Sequence, residues 1–443
     1  MSQQPSSRKL QRAWSMYDWA NSAYNLVITS TIFPVYYIAI TGDDKDNTVD
    51  YVSFFGWKVI NSALLNYALA AAYLIIAFLS PLLSSIADYR GNKKRFMQLF
   101  CYLGSAACCG MYFFKPGNIE LGIILAIIAA VGYCGSLVFY NAYLPEIAPE
   151  AEQDRVSAQG FAYGYIGSVL LQIICFVFVL MPFADGTFAP RLSFLLVGIW
   201  WFGFSQITFR ILPNGTASVK DRAHNIVSGG FHELKKVWQQ LRQLPVLKTF
   251  LTSFFFYSMG VQTVMLAAAE FGSKEVKKQV DGKWVNMEAQ DLIITILLIQ
   301  LVAIAGAMLM ARLSKKIGNL KVLMLTVLLW IGICVFAYVT YTAIQFYALA
   351  VLVGLVMGGI QSISRSTYAK LMPETRDTAS FFSFYDVTEK VAIVIGMFSF
   401  GFIEHLTGNM RNSIFALTVF FIAGFIFLIV ANGRARKASL KEL

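Results

Sequence analysis

The chain has 443 residues, of which 57% are hydrophobic and 14% are charged. An ordinary soluble domain has about 25% charged residues. This composition excludes a soluble enzyme, a disordered chain, a collagen and a disulfide-stapled scaffold. The formal net charge of +11 would suggest a nucleic-acid ligand in a soluble protein, so its distribution along the chain decides what it means.

Apolar runs long enough to cross a bilayer recur along the whole chain. A transmembrane helix needs about 20 such residues, and these runs are too long for the strands of a membrane barrel. The sequence predicts twelve spans, at residues 21–40, 63–83, 96–114, 121–143, 158–181, 192–212, 248–269, 292–312, 321–342, 345–365, 387–405 and 412–432. We therefore predict an all-α membrane protein, and the even number of spans places both termini on the same side.

The basic residues identify that side. Of the 36 Lys and Arg residues, 27 fall in segments that share a side with the termini. Because cytoplasmic loops carry the excess of Lys and Arg, we predict a cell (inner) membrane protein with both termini cytoplasmic. Topology thus explains the basic charge, and no nucleic-acid partner is expected. The first span follows a polar stretch without an obvious cleavage site, which indicates a retained anchor.

Two of the segments that join the spans have recognisable features. The longest cytoplasmic segment separates an N-terminal six-helix bundle (1–212) from a C-terminal six-helix bundle (248–443) and forms a linker (213–247). In the linker, apolar residues at helical spacing predict an amphipathic helix in the membrane interface, or a plain connector: Phe231, Leu234, Val237, Trp238, Leu241 and Leu244. In the 7/8 loop, the Asp-Gly pair at 281–282 favours a short external hairpin.

Two landmarks recur at nearly one offset in the two halves. Gly91 in ADYRGNKKR and Gly318 in SKKIGNLKV are 227 positions apart. Pro145 in AYLPE and Pro373 in AKLMPE are 228 positions apart. Since both pairs fall in equivalent loops, they indicate a duplicated six-helix unit and hence two pseudo-symmetric bundles. Such a bundle pair is typical of a transporter whose site lies at the interface of the halves.

The connection after span 2 carries the first sharp motif, SSIADYRGNKKR at 84–95. Gly91 permits a tight connection, Lys93 belongs to a cationic cluster that anchors the membrane interface, and Asp88 can latch one conformation by pairing with a helix end or an Arg. The motif resembles the major facilitator superfamily, whose loop after span 2 reads Gly-x-Leu-Ala-Asp-Arg-x-Gly-Arg-Lys. In the second copy Lys315 replaces the Asp, so the predicted latch is asymmetric; plain topogenic cations are the alternative.

Further segments in both halves are similar to one branch of that superfamily. They are YDWANSAYN (17–25), NAYLPEIAP (141–149), QGFAYGYIGS (159–168), GGIQSISRSTYAKLMPE (358–374) and FFSFYDVTEKVAIVIG (381–396). This branch contains the fungal vacuolar amino-acid effluxers linked to autophagy and bacterial transporters of undefined substrate. The resemblance implies the two-bundle fold and transport, and it leaves the substrate open.

Polar side chains within the spans identify a candidate substrate path, because they must face the bundle interior or water. In the superfamily, spans 1, 4, 7 and 10 line the path, and most of the polar clusters fall in those spans. The candidates are Asn21, Tyr24, Asn25, Tyr140, Asn141, Tyr163, Gln172, Tyr257, Gln262, Gln361 and Arg365. Each polar residue could instead make an interhelical hydrogen bond. Arg365 suits a carboxylate, either of the substrate or gate or of a structural ion pair.

Span 11 supplies a candidate for proton coupling. Its apolar core at 391–403 has only 13 residues, roughly 20 Å, so a bilayer of about 30 Å also takes in Glu389 and Lys390. Asp386 and Lys390 are four apart and can neutralise each other on one helix face. That leaves Glu389 as the first proton-coupling candidate and Asp18 as the second, with a structural role open for both.

These features predict a secondary active transporter that moves a small polar or zwitterionic solute, with an amino acid favoured, by alternating access, with or without protons. A facilitated exporter and a transporter-fold sensor or scaffold are the alternatives. The three histidines, His224, His232 and His405, have no metal-ligand spacing, and no catalytic or phosphate-binding motif is recognisable, so no enzyme activity, metal or cofactor is expected. The expected partners are the solute, protons where coupled and the lipid bilayer, with a monomer favoured.

Overall fold

Long helices make up nearly all of the fold. The computed structural model describes residues 8–42, 50–181, 183, 185–214 and 226–440. In these residues the α-helices are α1 (Arg8–Ala23), α2 (Ile32–Thr41), α3 (Asn61–Arg90), α4 (Lys93–Gly110), α5 (Ile119–Ala142), α6 (Leu144–Ile147), α7 (Glu150–Leu180), α8 (Phe188–Ile211), α9 (Ile226–Gln243), α10 (Pro245–Glu275), α11 (Ala289–Ile317), α12 (Asn319–Tyr338), α13 (Ala343–Leu371), α14 (Thr378–Thr407) and α15 (Met410–Ser439). The strands are β1 (Tyr51–Phe54), β2 (Trp57–Ile60), β3 (Lys277–Val280) and β4 (Lys283–Asn286).

The predicted all-α membrane fold is confirmed. Eleven helical segments of the described chain are long and apolar enough to cross a membrane, and the first joins α1, a π-helical stretch and α2 over Arg8–Thr41. The remaining predicted span lies in α14, which has 30 residues, a length that is ample for a bilayer. The first half of α14 carries Asp386, Glu389 and Lys390, so it is more polar than the other spans.

The helices extend well beyond the apolar runs in the sequence. Helix α3 continues to Arg90, α7 begins at Glu150 and α13 continues to Leu371. Helical hydrogen bonding does not have to stop where hydrocarbon ends, because polar side chains can continue the same helix into headgroups and water. Hydropathy therefore locates the centre of each span and not its ends.

The chain divides into two compact units. The first comprises Met1–Ala142 and Tyr163–Ala223, and the second comprises Tyr143–Ala162 and His224–Leu443. In the first, α4 packs on α5 and α8, α1 packs on α8, and α3 packs on α5. In the second, α12 packs on α13 and α15, α10 packs on α15, and α11 packs on α13. Spans 1–6 and 7–12 thus repeat one packing pattern, as expected for pseudo-symmetric bundles, although Tyr143–Ala162 lies in the second unit.

A β-hairpin follows the first span of each half. Strand β1 pairs with β2, and β3 pairs with β4, both antiparallel. The turns are Phe55-Gly56, with φ of 49° and 81°, and Asp281-Gly282, with φ of 49° and 77°, as a two-residue hairpin turn requires. The hairpin predicted from Asp-Gly is confirmed. The sequence does not predict the hairpin of β1 and β2, because Phe is an unusual residue at a left-handed turn position.

The two equivalent connections after spans 2 and 8 also share a backbone feature. Gly91 has φ of 65° and Gly318 has φ of 88°, values that glycine adopts without strain. The predicted tight connection at Gly91 is thus confirmed. Asp88 and Lys93 beside it are 2% and 3% exposed, whereas Lys315 in the second copy is exposed. The two copies therefore differ in charge and burial.

A buried arginine begins the last helix of each unit. Arg191 donates through Nε to the Tyr112 carbonyl at 2.6 Å. Arg411 donates through Nη1 to the Tyr338 carbonyl at 3.0 Å and pairs through Nε with Glu275 at 2.9 Å. Each guanidinium ties its helix to the end of the third helix of the same unit. The two residues count only as loop cations in the sequence, yet they hold corresponding ends of the repeated fold together.

The predicted linker contains helix α9. It packs on α10 and α14 within the second unit. Val237 and Leu241 are buried, whereas Trp238 is 43% exposed. The side chains of Phe231 and Leu234 lie outside the described part of the chain. The apolar stripe of α9 therefore packs partly against protein, through Val237 and Leu241, and leaves Trp238 available to a membrane surface.

Candidate functional site

The first span contains the most irregular backbone of the candidate path. Residues Tyr24–Thr31 form a π-helix between α1 and α2. Pro34 cannot donate to the Ser30 carbonyl, which removes one α-helical hydrogen bond. The Ser30 hydroxyl bonds the Asn25 carbonyl, five residues back, at 2.9 Å, and the Thr31 hydroxyl does the same one residue later at 2.7 Å. Such π-segments occur frequently at functional sites.

Asp18 and Tyr140 form a buried pair in the first unit. The Tyr140 hydroxyl donates to Asp18 Oδ2 at 2.7 Å. Trp14 stacks on the Tyr140 ring with centroids 4.3 Å apart, and its Nε1 donates to the Tyr140 carbonyl at 2.9 Å. Trp14 therefore holds in place both the ring and the backbone of the tyrosine that binds the carboxylate. The structure brings these two predicted residues together, although they are far apart in sequence.

Two further candidates in this unit present buried amide groups. Gln172 Oε1 accepts from Thr31 at 2.8 Å, so span 5 meets the π-helical stretch. The side-chain nitrogens of Gln172 and Asn21 are buried and have no hydrogen-bond partner among the described residues. A buried unpaired donor is costly, so both groups are suited to an acceptor from a ligand.

The remaining candidates of the first unit have less defined surroundings. Tyr24 is buried against Tyr133, with ring centroids 5.0 Å apart. Asn25, Asn141 and Tyr163 are half-buried. Among the candidates of spans 1, 4 and 5, the structure thus joins Asp18 of span 1 to Tyr140 of span 4.

In the second unit, α10 and α13 meet through predicted residues. The Tyr257 hydroxyl and Ser364 Oγ are 2.7 Å apart, and Tyr257 is fully buried. Gln361 Nε2 donates to the Met265 sulfur at 3.6 Å. Both contacts join spans 7 and 10, the two spans of this half that the family resemblance places on the path.

Arg365 is engaged by neutral groups of the segment Tyr143–Ala162. Its Nε donates to Ser157 Oγ at 3.0 Å and its Nη2 donates to the Ser157 carbonyl at 2.8 Å. The Phe161 ring centroid lies 4.2 Å from the guanidinium carbon. Arg365 is only 3% exposed, and its hydrogen bonds to Ser157 join α13 to the start of α7.

The charged residues of α14 form a cluster whose pairing differs from the prediction. Lys390 Nζ lies 3.0 Å from Glu389 Oε2 and 3.5 Å from Asp386 Oδ1. Gln262 Nε2 donates to the other Glu389 oxygen at 2.9 Å. The predicted pairing of Lys390 with Asp386 is therefore present, but Glu389, expected to be left unpaired, forms the shorter pair with the same lysine. Helical spacing pairs residues three or four apart, so it does not reveal that a long lysine bends to its immediate neighbour.

A second cluster, absent from the predicted site, centres on Asp154. Its carboxylate lies 2.7 Å from Lys370 Nζ and accepts hydrogen bonds from Ser314 at 2.8 Å and Asn319 at 2.7 Å. Asp154 precedes the apolar run of span 5, so a search restricted to spans leaves it out. Its only signal in the sequence is a carboxylate close to a predicted helix end.

The chain matches one protein family over nearly its whole length. The family described as Vacuole effluxer Atg22 like matches residues 6–439. The chain is 31% identical over 425 residues to the uncharacterized MFS-type transporter YxiO of Bacillus subtilis, which covers 95% of this chain and 94% of that relative. It is 24% identical over 499 residues to Autophagy-related protein 22-1 of Aspergillus terreus, covering 90% of this chain and 80% of that relative.

A solved structure gives independent evidence for the fold. The human organic anion transporter MFSD10 is similar to this chain with a TM-score of 0.72 and 12% identity, covering 96% of this chain and 100% of that one. Such low identity shows the fold alone. Together with the repeated packing of the two units, these matches confirm the resemblance seen in the sequence. The chain belongs to the Atg22-like vacuole effluxer family and is a multi-pass transporter of the major facilitator superfamily.

Proposed function

We propose that the protein is a secondary active transporter that moves a small polar or zwitterionic solute, and first of all an amino acid, by alternating access. The observation that supports this most is the Glu389–Lys390 ion pair together with the Gln262 amide bonded to Glu389, all in helices of spanning length. Ionisable groups at such positions mark ion or substrate pathways. The effluxer named in the family description supports export as the direction.

The surroundings of the transporter follow from its charge distribution. We propose a monomer in the cell (inner) membrane with both termini cytoplasmic. The orientation is supported by the Lys and Arg residues, most of which fall in loops on the side of the termini. On this orientation the connection with Asp88, Gly91 and Lys93 is cytoplasmic. The burial of Asp88 and Lys93 supports a conformational latch at that connection.

Proton coupling remains part of the proposal, with Glu389 ahead of Asp18. The Glu389 side chain is 22% exposed, whereas Asp18 is buried beneath the Tyr140 hydroxyl. A second candidate is facilitated, uncoupled export, and the Lys390–Glu389 ion pair favours it, because a carboxylate already neutralised by a lysine has less need of a proton.

Flux through purified protein in liposomes tests the proposal. We expect saturable counterflow of at least one amino acid from a labelled panel that also contains dipeptides and sugars, with empty liposomes as the control. A ligand that binds the folded protein should also raise its melting temperature. If no amino acid or dipeptide shows saturable flux and none raises the melting temperature, the proposed substrate class is contradicted.

Flux into the same liposomes under an imposed pH gradient distinguishes proton-coupled from uncoupled transport. An imposed pH gradient should drive accumulation by the natural chain, and Glu389→Gln should abolish the dependence on the gradient more completely than Asp18→Asn. Flux that ignores the gradient in all three proteins would establish the uncoupled alternative.

A further inference from the structure

The charged cluster of α14 is energetically expensive for a purely structural element. The side chains of Lys390 and Asp386 are each 6% exposed. Ion pairs buried to this extent are often no more stable than apolar side chains of similar volume. A helix of spanning length would therefore be at least as stable without these charges. Their presence points to a ligand that exchanges with one of them.

Glu389 is the member of the cluster that a ligand can reach. Its side chain is 22% exposed, and Gln262 orients it by donating to Oε1 at 2.9 Å. The half-buried Gln262 amide also places an oxygen acceptor beside the carboxylate. Two acceptor groups at one accessible position suit a group with several N–H donors.

Asp386 provides the place to which Lys390 can move. Its Oδ1 is 3.5 Å from Lys390 Nζ, beyond the range of a good hydrogen bond. Its Oδ2 is buried and has no hydrogen-bond partner among the described residues. The lysine ammonium is a compact charge on a flexible stem, so a shift of about 1 Å would move it from Glu389 to Asp386. Two carboxylates and one ammonium carry one net negative charge, which a second ammonium would neutralise.

We propose that Glu389 binds a primary ammonium group of the transported solute, and that Lys390 transfers from Glu389 to Asp386 when the solute arrives. This inference rests on the proposed function and specifies its substrate class: an amino acid or short peptide with a free ammonium group. A des-amino acid, which lacks the amino group, supplies no cation to Glu389. Lys390 then stays paired with Glu389, so the des-amino acid binds weakly.

Ligand binding by the full-length protein tests this assignment. Thermal-shift titration with the L-amino acids identifies the one that binds most tightly, and its des-amino acid with the same side chain is the comparison probe. We expect Glu389→Gln to weaken binding of the amino acid about 10- to 100-fold, the range for a lost hydrogen bond to a charged group, and to leave the des-amino acid unchanged. Asp386→Asn should also weaken binding of the amino acid, because Lys390 loses the carboxylate to which it would move.

Glu270→Gln is the matched control. Glu270 also pairs with a lysine, Lys274 at 2.6 Å, but its side chain is 53% exposed, so its replacement should not alter binding. Glu389→Asp, which keeps the charge, should retain more affinity than Glu389→Gln. Equal losses in these two variants would assign Glu389 a structural role and overturn the inference.

The outcomes separate this inference from the proposed function. An amino acid that is transported and binds equally well to the natural chain and to Glu389→Gln would overturn the ammonium site and leave amino-acid transport standing. A chain that binds and transports no amino acid or peptide would overturn both.

Discussion

Arg411 uses its whole guanidinium group. Besides the Tyr338 carbonyl, Nη1 donates to the Thr340 carbonyl at 2.5 Å, and Nη2 donates to the Glu275 carbonyl at 2.6 Å. The planar fork thereby satisfies three backbone acceptors and one carboxylate where α10 and α12 end and α15 begins. A lysine, with a single charged nitrogen, cannot reach this set of acceptors. Arg411 therefore illustrates how one side chain can hold three helix ends.

Arg411→Lys should lower the free energy of unfolding by about 2–4 kcal/mol, because buried carbonyl groups lose their donors. The thermal-unfolding midpoint of the purified protein measures the effect. Arg312→Lys, at an exposed position, is the control and should leave the midpoint unchanged. Equal midpoints for both variants would show that Arg411 contributes no more than an ordinary surface cation.

Helix α14 approaches α10 closely because a glycine lies at their crossing. A β-carbon at Gly396 would lie 2.6 Å from the Met259 carbonyl oxygen, which no real side chain permits. In the first unit, a β-carbon at Gly167 of α7 would lie 2.5 Å from the Trp19 carbonyl oxygen. Small residues of this kind let membrane helices pack backbone to backbone. The crossing at Gly396 brings α14 close enough for Glu389 to meet a side chain of α10.

Gly396→Leu should push α14 away from α10 and thereby break the hydrogen bond between Gln262 and Glu389. We expect loss of amino-acid binding and a lower melting temperature. Gly401→Leu lies on the same helix with open space around its β-carbon, so it should preserve both properties. If Gly396→Leu binds as well as Gly401→Leu, the close crossing is not needed for the site.

At the scale of the whole molecule, Tyr143–Ala162 connects the two units through the chain itself. Asp154 and Ser157 tie it to helices of the second unit, through Lys370 and Arg365. On both sides the segment continues into residues of the first unit. These hydrogen bonds and the ion pair hold the segment within the second unit.

Asp154→Asn should loosen the segment, because Lys370 loses its charged partner. A cysteine introduced by Ala158→Cys, at a buried position, reports this as faster labelling by a thiol reagent. Glu152→Gln is the control, since the pair that Glu152 forms with Arg155 is exposed and its loss should not change the labelling rate. Equal rates in the two backgrounds would contradict a role of Asp154 in docking.

The features that the sequence determined are local or periodic. Twelve apolar runs specify helices, because in lipid the backbone groups of a single span can only hydrogen-bond to one another. The duplication is visible as loop residues that repeat in the two halves. Gly91 and the turn at 281–282 could be located because a left-handed backbone needs particular residue types. The polar residues of the spans were identifiable as candidates for the same chemical reason, that lipid does not solvate them.

Only the tertiary structure decided which groups meet. The choice of Lys390 between two carboxylates depends on side-chain reach, and the partners of Asp154 come from residues that are 160 or more positions away. The π-helical stretch of span 1 meets Gln172, which lies four spans later, through a hydrogen bond from Thr31. Such contacts depend on distances across packed helices, and neither hydropathy nor helical spacing contains those distances.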